Sequence, residues 1–314
     1  MTYFWGNKRR FNSWADQCKK LYGSRLQRVS INAGFSCPNR DGTVGTGGCT
    51  FCDNRGFSPS YCHAGLSIKQ QIDAGVGFLK SRYRRTNKFI AYFQAYSNTY
   101  SNLDHLKELY MEALSHPDIS GIAVGTRPDC IDEQKLDFFA ALSKNYYFSI
   151  EYGLESCYNS TLQKVNRGHS FEDSVKAVEL SASRGLHTGV HIIFGLPGET
   201  RSMMLNQAQI LSHLPINSIK FHQLQIIKGT PMASEFQHYP GRFDLFSIEE
   251  YVEFVIKFIE SLRPDISIER LAGEIPPGFR TGTNHWGGIR SDQVTVRIEK
   301  KMAELDTWQG KMWS

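Results

Sequence analysis

Three cysteines that lie close together in the sequence are the residues best suited to chemistry. Eleven residues separate Cys37 from Cys49, and two separate Cys49 from Cys52. Soft metal ions and iron–sulfur clusters prefer thiolate ligands, so this triplet predicts a metal or cluster site. Glycines in the segment between the first two cysteines let the backbone wrap closely around an inorganic group. These glycines are Gly42, Gly45, Gly47 and Gly48.

The number of thiolates decides which inorganic group fits. A structural zinc site needs a fourth ligand, which Cys62 or His63 is near enough in the sequence to supply. If only three thiolates bind, one iron of a four-iron cluster stays open for a ligand from outside the protein. The total of seven cysteines is odd. Full disulfide pairing fits an odd number poorly, so we interpret the cysteines as thiols, metal ligands or catalytic groups.

The elements that position the triplet follow from the pattern of apolar residues. Short apolar or β-branched runs alternate with longer amphipathic stretches, which is typical of repeated βα units. We predict strands near Leu26–Asn32, Phe89–Gln94, Gly121–Val124, Tyr147–Tyr152, His187–Phe194 and Ser218–His222. We predict helices near Ser67–Arg82, Asn102–Ser115, Asp132–Lys144, Phe171–Arg184 and Thr200–Leu214. Six such units favour a parallel sheet, either as an incomplete barrel or as a doubly wound open sheet.

The C-terminal part departs from this rhythm. A helical stretch near Ile248–Leu262, a short strand near Asp265–Glu269 and a Gly/Pro-rich segment at Gly273–Gly278 precede a charged helix near Ser291–Leu305. We therefore predict an N-terminal basic arm (1–25), a core barrel (26–240) and a C-terminal extension (241–314).

Composition bounds the functional class. The formal net charge is +5, which permits an anionic substrate without demanding one. No run of eighteen apolar residues appears, and the first residues lack the apolar stretch of a signal peptide. We expect a cytoplasmic protein without a membrane span.

The order of motifs along the chain resembles that of the radical SAM superfamily, in particular its YhcC-like branch, which is related to the elongator-type catalytic subunit and to oxygen-independent coproporphyrinogen oxidase. In the cysteine motif an aromatic residue, Phe51, directly precedes the last cysteine. Further motifs stand near predicted strand ends, at Gly121–Asp129, Glu151–Ser156, Val165–His169, His191–Thr200 and Lys228–Met232. The resemblance implies an α/β fold, a partial (β/α)6 TIM-like barrel, with a [4Fe–4S] cluster held by Cys37, Cys49 and Cys52.

The resemblance also implies contacts to S-adenosylmethionine (SAM). Arg167 corresponds to an arginine that pairs with the SAM carboxylate, a geometry that suits a guanidinium. His191 and Gly125 stand where close relatives often have carboxylates facing the nucleoside, so ribose recognition falls to Glu155 or, second, to Glu151. The implied cofactor contacts are Phe51, Gln94, Ala95, Tyr96, Glu151, Glu155, Arg167, His191, Phe194 and Gly195. In the Gln94–Tyr96 segment, relatives usually carry glycines.

Enzymes of this kind cleave SAM reductively to methionine and a 5′-deoxyadenosyl radical, with an electron donor such as flavodoxin or ferredoxin. Resemblance to the elongator-type subunit implies tRNA wobble uridine as substrate, whereas resemblance to coproporphyrinogen oxidase implies a carboxylated tetrapyrrole. A non-catalytic zinc or iron–sulfur module that senses redox state is the alternative of another class. No residue is assigned to the step on the substrate, and no oligomeric state is indicated.

Interleaved cations and aromatic residues favour tRNA, because cations hold phosphates and aromatic rings stack on bases. These are Lys8–Arg10, Lys19–Lys20, Arg82–Lys88, Arg297, Lys300, Lys301 and Lys311, with Trp286, Trp308 and Trp313 in the tail.

Overall fold

A single parallel sheet forms the centre of the molecule. The computed structural model describes residues 2–83, 88–281 and 286–313. Seven strands lie side by side in chain order. They are β1 (Gln27–Ile31), β2 (Phe89–Phe93), β3 (Ile119–Thr126), β4 (Tyr147–Glu155), β5 (His187–Phe194), β6 (Ser218–Gln223) and β7 (Ser267–Arg270). The sheet curls into a half-barrel, which confirms the predicted α/β, TIM-like fold.

Ten helices among the described residues accompany the sheet. They are α1 (Trp14–Tyr22), α2 (Ile68–Arg82), α3 (Leu103–Leu114), α4 (Glu133–Ser143), α5 (Asn159–Lys164), α6 (Phe171–Ala182), α7 (Arg201–Ser212), α8 (Pro231–His238), α9 (Ile248–Ser261) and α10 (Ser291–Glu304). Polar side chains cap many of them: Ser67, Ser170 and Ser247 each accept a hydrogen bond from a first-turn amide. Such caps fix where a helix begins after its strand. None of the described helices is long and apolar enough to cross a membrane.

Strand alternation divides the sheet between two environments. On β6, Ile219 and Phe221 are fully buried on the helix side. The Phe221 ring lies 5.1 Å from that of Phe258 on α9. Lys220 and His222 alternate with them and point into the half-barrel. The apolar core therefore lies between sheet and helices, and the interior is left for polar groups.

A seventh strand belongs to the sheet, whereas the sequence predicted a barrel of six. Ser267 and Ile268 pair in parallel with Ser218 and Ile219 of β6. This strand has only four residues, too few for a clear alternating pattern, and it follows α9 rather than one of the regular βα units. Its short run was therefore predicted as part of an extension beside the barrel.

The two ends of the chain meet at β7. The amide of Ile268 donates to the Asn12 carbonyl at 2.7 Å, and the amide of Gln309 donates to the Arg10 carbonyl at 2.9 Å. The Gln309 side chain in turn accepts from the Asn12 amide at 2.9 Å. These bonds tie residues of the predicted arm to residues of the predicted extension.

Candidate active site

The half-barrel opens into a polar cavity at the carboxyl ends of its strands. Its volume is roughly 300 Å³, near the lower end of the usual range for small-molecule sites. Every strand of the sheet, or the loop that follows it, contributes to its walls. In α/β barrels this end of the sheet carries the active site.

The three predicted ligands line one wall of this cavity. Cys37, Cys49 and Cys52 all belong to the loop after β1. Gly48 lets this loop fold tightly, because its φ is +81° and a Cβ there would lie 2.7 Å from Nε of Arg40. The loop is also anchored from outside, since the amide of Thr50 donates to the carbonyl of Val165 at 3.0 Å.

Guanidinium and amide groups surround the cysteines. Arg167 approaches the Cys49 sulfur with Nη1 at 3.6 Å, and Asn39 approaches it with Nδ2 at 3.8 Å. Arg40 donates to the Cys52 carbonyl at 2.6 Å. Burial alone would lower the pKa of Arg167, but the Cys49 thiolate and Glu155 outweigh it and raise this pKa. Cations beside three thiolates offset the negative charge that a thiolate-bound cluster carries.

Within the described residues, the three cysteines share a cavity lining without forming the ligand set of a single metal ion. Among them no three cysteine, histidine, aspartate or glutamate side chains converge on one point as the ligands of a single metal ion would. Thiolates that each bind a different iron atom need not converge in this way, unlike the ligands of a zinc ion. The Arg167 side chain indicates that a polar group binds here, because its buried Nε has no hydrogen-bond partner among the described residues.

Arg167 is held in place by the end of β4. Its Nη2 donates to the Gly153 carbonyl at 2.6 Å and lies 3.6 Å from Oε1 of Glu155. Glu155 has a φ of +69°, where the pairing of β4 with β5 shifts its register. Arg127, which is nearly fully buried, donates to the Arg167 carbonyl at 2.7 Å and forms a fork with Asp129. The Thr-Arg-Pro-Asp motif thus positions the loop that carries Arg167.

Glu151 lies at the floor of the cavity within a buried network of charges. It accepts from Arg28 of β1 and Lys220 of β6, and lies 3.1 Å from Nε2 of His191. Burial would raise the pKa of Glu151, but Arg28 and Lys220 outweigh it and hold this pKa well below its usual range. Glu269 of β7 accepts a second bond from Arg28. Two cations and two carboxylates therefore close the floor with no net charge.

The segment after β2 contributes two of its three predicted contacts to the cavity. Gln94 lines it and is fixed by donating to Ser30 Oγ at 3.1 Å and to the Phe57 carbonyl at 3.2 Å. Tyr96 also lines it, with a φ of +62° and 40% of its surface exposed. Ala95 is buried and lies outside the cavity lining.

Phe194 and Gly195 require a correction. The Phe194 side chain lies in the apolar core, 4.9 Å from the ring of Phe254 and 5.0 Å from that of Phe258. Alternation along β5 directs His191 and Ile193 into the cavity and Phe194 to the helix side. Ile193, rather than Phe194, therefore contributes its side chain to the cavity lining. Gly195, at a φ of +93°, turns the chain toward α7 and also lies outside the lining.

The remaining predicted contacts lie together. The cavity lining includes Phe51, Glu151, Glu155, Arg167 and His191. Sequence reasoning missed several further lining residues: Arg40, Tyr92, His222, Gln225 and Arg270. Alternation on β2 and β6 would have identified Tyr92 and His222. No signal pointed to Arg270, because its strand was placed outside the barrel.

Comparison with known proteins agrees with this architecture. Residues 39–209 match the radical SAM superfamily, and residues 216–304 match the radical SAM C-terminal domain. YtqA of Bacillus subtilis is 31% identical over 98% of this chain and 94% of its own length. YhcC of Escherichia coli is 33% identical over 83% of this chain and 82% of its own length.

More distant proteins share the fold. The tRNA uridine(34) acetyltransferase of Methanocaldococcus infernus is 28% identical over 49% of this chain and 29% of its own length. The solved structure of Elp3 from the same organism covers 90% of this chain and 64% of its own, with a TM-score of 0.67 and 17% identity. With the fold, the cavity and the profile matches in agreement, the chain is a radical SAM enzyme, a relative of YhcC and YtqA in a superfamily that uses a [4Fe–4S] cluster and SAM.

Proposed function

We propose that Cys37, Cys49 and Cys52 hold the [4Fe–4S] cluster and that SAM lies against it in the cavity of the half-barrel. The observation that carries this proposal is the common lining: the three cysteines share one cavity with Arg167, Glu155, Gln94 and Tyr96. The geometry supports three thiolate ligands, because Cys62 lies outside that lining. An open iron then remains for SAM.

Each neighbouring side chain has a role in binding. Arg167 presents a guanidinium whose orientation Gly153 and Glu155 fix, and its unpartnered Nε is free for the SAM carboxylate. Glu155 accepts hydrogen bonds from the ribose, and Ile193 packs beside the adenine. The negative charge of Glu151 is already paired with Arg28 and Lys220. Glu155 is therefore the better of the two carboxylates to accept hydrogen bonds from the ribose.

When bound, the reduced cluster supplies one electron to SAM, which is cleaved to methionine and a 5′-deoxyadenosyl radical. The chain orients SAM and limits the access of water. A reductant is required, and we propose flavodoxin or ferredoxin as the donor.

We further propose that the substrate is tRNA, modified at the wobble uridine. The similarity to a tRNA uridine(34) acetyltransferase supports this choice. The basic surface is smaller than the sequence indicated, because Arg9 pairs with Asp16 and Glu299, and Arg10 pairs with Asp306. Of the Arg82–Lys88 run, residues 84–87 lie outside the described residues. Lys300 remains well exposed on α10, with 79% of its side-chain surface accessible.

Anaerobic reconstitution with iron and sulfide tests the cofactor proposal. We expect about four irons per chain and a broad visible absorption that dithionite bleaches. The reduced protein should also convert SAM slowly to 5′-deoxyadenosine without substrate. Stoichiometric zinc after iron-replete expression would contradict the cluster and favour a structural metal module.

The nucleosides of a deletion strain test the substrate proposal. We expect its tRNA to lack a modified wobble uridine or to accumulate a precursor, as measured by mass spectrometry. A profile identical to that of the parent under aerobic and anaerobic growth would contradict it. A carboxylated small molecule such as a tetrapyrrole would then be the leading substrate.

A further inference from the structure

The cavity has a second wall that the cofactor assignment leaves unused. It is formed by the end of β6 and the segment after β7, at the opposite edge of the sheet from β1. Gln223, Gln225, Arg270 and Gly273 line this wall. Polar groups in a cavity wall carry specificity when their hydrogen-bonding capacity is free and fixed in direction.

Gly273 fixes two glutamine side chains. Gln223 donates to its carbonyl at 3.0 Å and accepts from its amide at 2.8 Å, and Gln225 donates to the same carbonyl at 3.0 Å. A Cβ at this position would lie 2.9 Å from Nδ1 of His222, so the close approach requires glycine. The Gln225 amide is thereby oriented, and its buried Oε1 has no partner among the described residues. An acceptor in this state favours a ligand that carries an N–H group.

Two residues with hydrogen-bond donors, Asn54 and Arg270, share the cavity lining with this acceptor. The buried Nδ2 of Asn54 also has no partner in the described part of the chain. The turn that carries Asn54 packs on the same wall, since a Cβ on Gly56 would lie 3.5 Å from Ile275 and 3.9 Å from Ile227. Arg270 extends into the same cavity from β7. Burial, reinforced by the charge of Arg270, holds the pKa of His222 well below its usual range and keeps this imidazole neutral.

We propose that this wall binds the imide edge of a uracil ring, with Gln225 Oε1 accepting from N3–H and with Asn54 and Arg270 donating to the two flanking carbonyl oxygens. The inference rests on the proposed wobble-uridine substrate and names the residues that read its base. Uracil presents acceptor, donor and acceptor along this edge. Cytosine has an acceptor at N3, which would face the Gln225 acceptor, and a carboxylate has no donor for it.

Mononucleotide binding to the reconstituted holoenzyme tests the assignment without requiring an intact tRNA. We expect uridine 5′-monophosphate to bind at least about tenfold more tightly than cytidine 5′-monophosphate in anaerobic titration calorimetry with SAM present, because cytosine lacks both the N3–H donor and the C4 carbonyl acceptor. Gln225→Leu should reduce this preference, because it removes the acceptor for N3–H. Asn54→Asp, which replaces a donor with an acceptor, should weaken uridine monophosphate by a similar factor. Gln134→Leu, the same substitution on the exposed face of α4, should retain the preference of the unsubstituted protein.

Equal affinities for the two nucleotides, or no measurable binding of either, would overturn the assignment. So would a preference for uridine that is undiminished in both Gln225→Leu and Asn54→Asp in variants with full iron content. An anticodon stem-loop RNA with uridine or cytidine at the wobble position separates this result from the substrate proposal. Selective nucleotide binding without stem-loop binding would contradict tRNA alone, whereas an altered tRNA profile without nucleotide selectivity would contradict the imide site alone.

Discussion

The two walls of the cavity differ in how their polar groups are used. On the cysteine wall, side chains bind one another: Arg167 contacts Cys49, Gly153 and Glu155, and Arg127 holds the Arg167 carbonyl. On the opposite wall, Gln225 keeps an unpartnered buried acceptor. The side chains of the cysteine wall hold one another, with Arg167 Nε still unpartnered among the described residues, whereas those of the opposite wall are held by the backbone of Gly273.

This difference separates two tasks. A cofactor common to a family needs a fixed frame, so its wall is organised by contacts that persist without substrate. A substrate must be exchanged at every turnover, so its wall keeps hydrogen-bonding groups that only the ligand completes. Substitutions on the cysteine wall should therefore alter cluster and SAM binding, and those on the opposite wall should alter substrate binding.

The largest effect should follow from removing a cluster ligand. Replacing Cys37, Cys49 or Cys52 singly with Ala should lose most of the iron, because each thiolate binds a separate iron atom. Iron and sulfide analysis after anaerobic reconstitution measures this loss. Cys18→Ala is the matched control, since Cys18 is also buried but packs in a separate apolar cluster beneath the sheet. Equal loss of iron in all four variants would show that the ligands are wrongly assigned.

The floor network should be the next most sensitive feature, because it joins β1, β4, β6 and β7 and therefore both walls. Glu151→Gln leaves Arg28 and Lys220 buried with one carboxylate fewer. Breaking a buried ion pair in this way costs about 3–5 kcal/mol. The free energy of unfolding, measured by denaturant titration, should fall by this amount.

A surface pair provides the comparison. Glu133→Gln removes one of the two carboxylate partners of Arg184, at 3.1 Å, where the carboxylate is 75% exposed, and leaves Asp137 at 2.6 Å. This substitution should cost no more than about 1 kcal/mol. If the free energy of unfolding falls no further in Glu151→Gln than in Glu133→Gln, the floor network does not stabilise the fold.

The cysteine wall and the fold were largely predictable from sequence, for a physical reason. One glycine-rich loop carries all three cysteines, so Cys37, Cys49 and Cys52 are close in the chain and line the same cavity. The six regular βα units are long enough for their periodicity to show. The implied cofactor contacts of individual residues stay predictions, apart from the side-chain direction of Phe194.

The opposite wall was not predictable, because it has no local pattern. Gln225 lies in a loop, and Arg270 ends a four-residue strand. Gly273 contacts Gln225 only because β6 pairs with β7, a contact between residues far apart in the chain. The tail shows a similar limit. Trp286 packs on Tyr251 and donates to the Phe246 carbonyl at 2.9 Å, so a tryptophan predicted to stack on bases supports the fold instead.

Arg167→Ala should weaken SAM binding and leave iron content unchanged. A charged hydrogen bond to a carboxylate contributes about 1.5–3 kcal/mol, so the expected loss in affinity is about tenfold or more. Equilibrium binding of SAM to the reconstituted protein measures it. Arg184→Ala, which removes two ion pairs to the exposed carboxylates of Glu133 and Asp137, away from the cavity, is the control. Unchanged SAM affinity in Arg167→Ala would contradict the role of this residue.

The loop that carries Arg167 should also make stability depend on pH. Burial, reinforced by the charge of Arg167, lowers the pKa of His169 to about 3. Its Nδ1–H donates to the Ser170 carbonyl at 3.0 Å, which suits the neutral ring. The unfolded chain binds a proton below about pH 6.5 and the folded chain does not, so stability falls as the pH drops from about 6.5 toward 3.

His169→Asn should remove this dependence. Between about pH 7.5 and pH 5.5 the free energy of unfolding of the unsubstituted protein should fall by about 1.4 kcal/mol more than that of the variant. His213→Asn, at an exposed histidine directly after α7, should retain the original slope. Parallel pH profiles for the unsubstituted protein and His169→Asn would contradict the neutral, buried state of His169.

The smallest effect should come from two cations on α10, the exposed Lys300 and the half-buried Lys301, which lie outside both walls. Replacing Lys300 and Lys301 together with Gln should weaken tRNA binding without changing SAM affinity, because these side chains would contact phosphates rather than the base. Each lost phosphate contact makes the slope of log affinity against log salt shallower by about 0.7–0.9, so two contacts change it by less than about 2. The matched control is Lys107→Gln with Lys144→Gln, two exposed lysines of α3 and the end of α4. If the slope of log affinity against log salt is equal for the α10 variant and the unsubstituted protein, α10 does not contact tRNA. Any uridine preference of the wall around Gln225 would then arise without phosphate contacts from α10.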